Sequence, residues 1–151
     1  MAKKKQSTGE PQVAISSTQR AMRVPRKAIA ELVAFVAEAE GCPVADADIA
    51  VVDGARMAEL NRRYLRHAGA TDVLSFDLSE APTTGISVQL ILCGDVAVTE
   101  AAARNIPART ELLLYVVHGL LHVMGYEDQS VRGAIRMRAR QEELLERFLG
   151  K

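Results

Sequence analysis

Apolar residues recur along this chain at two periods, close to two and close to 3.6, and each change of period marks a change of element. Val13, Ala14 and Ile15 form a short apolar run flanked by Gln and Ser, which predicts a first strand. Pro25 then stands near a helix start, and Ile29, Leu32, Val33, Val36 and Ala39 follow a helical stripe until Gly41 and Pro43 stop it. Residues 49–52 read as a buried strand ended by Asp53 and Gly54, after which Met57, Leu60, Asn61 and Tyr64 mark one face of a second helix. Residues 71–78 alternate, with Leu74, Phe76 and Leu78 on one face and Val73, Ser75 and Asp77 on the other. A loop over residues 79–85 leads into a long predicted strand over 86–98, and the two strands are expected to form a hairpin. Thr99, Glu100 and an alanine run predict a short helix, and Pro107 opens the next. Leu112, Leu113, Leu114, Val116, Val117, Leu120 and Leu121 cover nearly the whole circumference of that helix, so it should be buried and central. A final helix is expected from near Ser130, with Ala134, Met137, Leu144 and Phe148 inward and Arg132, Arg136, Arg140, Glu143 and Arg147 on a solvated face.

Composition narrows the class. At 151 residues, with 48% hydrophobic and 25% charged side chains, the chain suits one domain with a real core, over residues 12–151. Residues 1–11, rich in Lys, Ser, Gly and Pro, are expected to be a disordered tail. No apolar run has the length of a membrane span, and no apolar core of a signal peptide follows the first lysines, so the expected compartment is the cytoplasm. Basic and acidic side chains number 19 each, which argues against a general coat for polyanions and confines any RNA contact to local clusters. Cys42 and Cys93 form no CxxC, so neither zinc-ribbon nor redox chemistry is indicated, and both are expected to be reduced and buried.

The candidate chemistry lies in His118-Gly119-Leu120-Leu121-His122-Val123-Met124-Gly125-Tyr126-Glu127-Asp128. Two of the chain's three histidines stand four residues apart on a predicted helix, which puts both imidazoles on one face about a turn apart, at metal-ligand spacing. Gly125 can supply a left-handed helix end that turns the chain back, and Asp128 is placed to bring a third donor. Spacing alone leaves a plainer alternative open. The histidines could be core residues with backbone partners, and Asp128, with Ser130, could cap the next helix. The Glu that makes HExxH diagnostic is missing.

This stretch resembles the HGxLHLxGYDH pattern of the YbeY family, metal-dependent endoribonucleases that mature ribosomal RNA. Gly119, Leu121, Gly125 and Tyr126 match along with the two histidines. Leu60, Asn61 and Tyr64, followed by Thr71-Asp72-Val73-Leu74-Ser75-Phe76, resemble the family's LN...Y...TDVLSF segment. Gly94-Asp95-Val96 with Thr99 and Glu100 resembles its GDI strand and the turn after it. The chain departs from the pattern at two places: Asp128 stands where the family has its third histidine, preceded by Glu127 for Asp, and Leu65 stands where the family has an arginine, with Arg66 one place on.

The resemblance implies an α/β (α+β) fold, zincin-like, in which a small mixed sheet of about four strands packs with five or so helices around a central metal-bearing helix. It implies one divalent ion, zinc by expectation, on His118, His122 and Asp128, with His118 and Arg66 as catalytic residues and Arg62, Arg63 and Arg66 as RNA contacts. A carboxylate is a legitimate zinc ligand, but its charge weakens the ion as a Lewis acid and shifts preference toward harder ions, so another divalent metal is also compatible. The implied activity is single-strand-specific cleavage in ribosomal RNA maturation, at the small-subunit RNA 3′ end, and in ribosome quality control, with the small subunit and a ribosomal or GTPase protein as partners and no membrane. With no Trp, three Tyr and three Phe, the chain has few stacking platforms, so substrate choice is expected to come from the ribosome or a partner. Two rivals remain: a metallopeptidase-like hydrolase, disfavoured because Gly119 occupies the place of the general-base Glu, and a non-catalytic ribosome assembly factor.

Overall fold

The computed structural model describes residues 9–64, 72–80 and 85–150. In chain order the elements are β1 (Gln12–Ser17), α1 (Arg26–Glu40), β2 (Val44–Val52), α2 (Gly54–Tyr64), β3 (Val73–Asp77), β4 (Ile86–Cys93), α3 (Gly94–Arg104), α4 (Ala108–Val123) and α5 (Val131–Gly150). The four strands make one mixed sheet in the order β1-β2-β4-β3. β1, β2 and β4 run parallel, and β3 is antiparallel to β4 at the edge, which is the expected hairpin. Of the expected tail, residues 1–8 lie outside the described residues, and Gly9 to Pro11 lead into β1 without regular structure.

Alternation along the strands divides the interior in two. Ala47, Ile49 and Val51 of β2 and Val88, Leu90 and Leu92 of β4 join the buried faces of α1, α4 and α5 in the main core. Val52 and Cys93, one position out of phase, face the other side and pack with Met57 and Leu60 of α2 and Leu74 of β3. The sheet therefore lies between α2 on one face and α1 and α4 on the other. Leu112, Leu113, Val116, Val117, Leu120 and Leu121 are all buried, so α4 is the central helix that its unbroken apolar surface predicts. Burying each such side chain is worth about 1.5–3 kcal/mol.

Besides β2, which begins at Val44 rather than at residue 49, two readings differ from the structure. The long strand over 86–98 ends at Cys93, and α3 starts at Gly94 rather than Thr99. A short apolar run such as Val96-Ala97-Val98 has no period long enough to separate strand from helix. Asp95 decides the local structure: it lies in the first turn of α3, and its Oδ2 accepts a 2.6 Å hydrogen bond from the Gly54 N–H at the start of α2, so one carboxylate serves two helix N-termini. The second difference is Arg140. It is no solvated residue of α5; its guanidinium bonds Glu40 at the end of α1 through Nε, with side-chain exposures of only 24% and 10%.

Candidate metal centre at the end of α4

The end of α4 is built by its own carbonyls. Gly125, at φ +113°, donates its N–H to the His122 carbonyl at 3.2 Å, and the Tyr126 N–H reaches the Leu121 carbonyl at 3.0 Å. This paired closure needs a residue at positive φ, which is why glycine stands there. The chain then turns over residues 126–130 into α5. Ser130 Oγ accepts from the Gly133 N–H at 2.9 Å and so caps α5. Glu127 accepts from Ser130 Oγ and from the N–H groups of Ser130 and Gln129, and these bonds, that from the Ser130 side chain foremost, hold its carboxyl below the usual carboxylate range. Glu127 thus staples the turn.

His118 and His122 stand a turn apart on α4, His118 half-buried and His122 exposed. His118 Nδ1 is 2.9 Å from Oε1 of Gln141 on α5. Asp128 is exposed and makes no hydrogen bond or ion pair with any described residue. The capping alternative therefore fails for Asp128, because Ser130 and Glu127 do that work. Among the described residues, no group of three or more His, Cys, Asp or Glu side chains is gathered closely enough to hold a metal ion. The two histidines stand on one face of α4, and Asp128 lies in the turn that follows it. The imidazole pair suits a divalent ion: a histidine that ligates through one nitrogen characteristically donates its other N–H to an outer acceptor, and His118 has such an acceptor in Gln141.

Around the pair, Gly119 faces the sheet. A Cβ at this position would lie 2.7 Å from Leu90 Cδ2 and 3.3 Å from Val73 Cγ2, so α4 can sit this close to β4 and β3 only because the side chain is absent. Arg62 and Arg63 are exposed on the last turn of α2, without ion pairs to described residues, on an element that packs against the opposite face of the sheet from α4. Arg66 lies outside the described residues. Tyr126 donates from its hydroxyl to Glu40 Oε1 at 2.9 Å, while Arg140 holds the other oxygen of the same carboxylate. Burial and the neighbouring Glu40 carboxylate push the Tyr126 phenol up. This brace ties the turn after α4 to α1 and α5. Sequence reasoning missed Gln141 and the Glu40 brace. Gln141 carried a usable signal, since a polar residue four positions after Met137 and three before Leu144 falls inside the apolar stripe.

Comparison with known proteins bears on what this arrangement is. Residues 12–149 match the family model described as Endoribonuclease YbeY. The chain is 35% identical over 114 residues to an Endoribonuclease YbeY of Micrococcus luteus, covering 71% of this chain and 73% of that protein. It is 28% identical over 140 residues to one of Syntrophotalea carbinolica, covering 89% and 93% respectively. A solution structure of a Thermotoga maritima protein superposes with a TM-score of 0.63 at 24% identity, covering 92% of this chain and 90% of that one, and shares the fold.

Proposed function

Because this chain belongs to the endoribonuclease YbeY family, we propose that it is a metal-dependent, single-strand-specific endoribonuclease acting on ribosomal RNA in the cytoplasm, in maturation of the small-subunit RNA 3′ end and in ribosome quality control. The observation that carries this reading is the His118 and His122 pair at the end of α4, inside the region matched to the family and backed by Gln141. His118 and His122 would hold one divalent ion, zinc by donor type, with Asp128 as the third donor. Asp128 is free for this role, since engaging it breaks no bond to a described residue. Bound there, a divalent ion would supply Lewis acidity to an attacking water and to a phosphoryl oxygen. Arg62, Arg63 and Arg66 are cations able to neutralise phosphate, and Arg66 is the residue proposed for the charge that develops in cleavage. The small ribosomal subunit, with a ribosomal or GTPase protein, would present the RNA.

The peptidase alternative loses ground on geometry. A general-base Glu at position 119 would have to occupy space that Leu90 and Val73 already fill. The test is a matched pair of substrates, a single-stranded precursor of the small-subunit RNA and an unstructured peptide. The expected result is RNA cleavage that a chelator abolishes and zinc restores, with the peptide intact. Peptide hydrolysis without RNA cleavage would overturn the proposal.

A further inference from the structure

The 2.9 Å contact between His118 Nδ1 and Gln141 Oε1 joins α4 to α5 across 23 positions of sequence. Gln141 is half-buried, with the buried residues Met137, Leu144 and Leu145 on the adjacent turns of its own helix, so packing limits where its carboxamide can go. A carboxamide oxygen only accepts hydrogen bonds. Its partner nitrogen must therefore carry the proton, and in a neutral ring the electron pair is then left on Nε2, which bonds no described residue.

We propose that Gln141 is a positioning residue for His118, fixing the ring as the Nδ1–H tautomer so that Nε2 is the nitrogen available to a divalent cation. This rests on the reading of His118 as a metal ligand. The acceptor is neutral, and that fits a site whose third donor is an acid: a carboxylate behind His118 would add a second negative charge to the one Asp128 brings, whereas an amide orients the ring and adds none. The opposite amide orientation, with the NH₂ group toward Nδ1, would move the ring proton to Nε2 and block it as a donor.

The tautomer can be read without metal or RNA. Nitrogen-15 spectra of the histidine rings in the metal-free full-length protein, taken with the rings neutral, should show protonated Nδ1 and bare Nε2 at His118. Gln141→Glu keeps an acceptor and should preserve this pattern, while Gln141→Leu should lose it. Zinc affinity, measured by chelator competition, should fall roughly 10–100-fold in Gln141→Leu and be retained in Gln141→Glu. The Glu variant separates positioning from folding, because a merely structural glutamine would not be rescued at the tautomer. An Nε2–H ring in the wild type, or a Gln141→Leu protein with unchanged tautomer and zinc affinity, would overturn the proposal. The expected tautomer and zinc losses in a protein that cuts no RNA would uphold it while removing the nuclease reading.

Discussion

At the scale of single residues, Gly119 shows how packing constrains the chemistry. A Cβ there meets Leu90 at 2.7 Å, and that contact is the end of a flexible side chain, so Gly119→Ala should be destabilising by about 1–3 kcal/mol rather than prevent folding. Urea denaturation measures it, and an unchanged midpoint would show that α4 does not sit so close to the sheet. The cysteines give a second prediction. Burial raises the Cys93 thiol; Cys42, expected to be buried, is only half-buried, and its partial burial with the Glu40 charge also raises its thiol. A raised pKa means less thiolate at a given pH, and the thiolate is the reactive form. Both should alkylate slowly in native protein at neutral pH and fast once it unfolds; native labelling of Cys93 at the unfolded rate would contradict its burial. The histidine spacing could be read from sequence because i, i+4 is a local relation. The position of Asp128 could not, because it depends on which of the polar residues Glu127, Asp128, Gln129 and Ser130 closes the turn and caps the helix, and Glu127 and Ser130 do so.

Among the elements, α4 and α5 and the turn between them set the site. Ser130→Ala removes the cap of α5 and should cost about 1 kcal/mol. Glu40→Ala removes the partner shared by Tyr126 and Arg140, leaves the half-buried Tyr126 hydroxyl without its acceptor and Arg140 with only Glu143 and the Ala39 carbonyl, and should cost about 1–3 kcal/mol. Thermal melts measure both, and a Glu40→Ala protein as stable as wild type would show that the brace does not form in solution. Helices α1 and α4 were legible in the sequence because each has a long stripe or a continuous apolar surface and a clear stop, Gly41 for one and Gly125 for the other. The start of α3 was not, since Gly94 to Val98 is too short to show a period and its deciding contact, Asp95 to Gly54, is made between positions 41 apart. Arg140 misled for a related reason: an arginine four residues from Arg136 looks solvated until α1 delivers Glu40 to it.

For the molecule as a whole, the equal count of 19 basic and 19 acidic side chains predicts weak binding to free RNA. If Arg62, Arg63 and Arg66 each meet one phosphate of a single strand, the logarithm of affinity should fall with the logarithm of salt with a slope of roughly −2, with little sequence preference. Titration of a fluorescent oligonucleotide at several salt concentrations tests this, and tight sequence-specific binding would contradict it. The described residues include no helix long and apolar enough to cross a membrane, and the central α4 carries His118 and His122 in its last turns, where the proposed chemistry would lie. The most direct test of that claim uses zinc-reconstituted protein, wild type and His122→Ala, with bound metal and cleavage of a single-stranded small-subunit RNA precursor measured on the same samples. The wild type should hold one zinc and cut, while His122→Ala should stay folded, lose the metal and fail to cut. A His122→Ala protein that keeps its zinc and cleaves at the wild-type rate would contradict it.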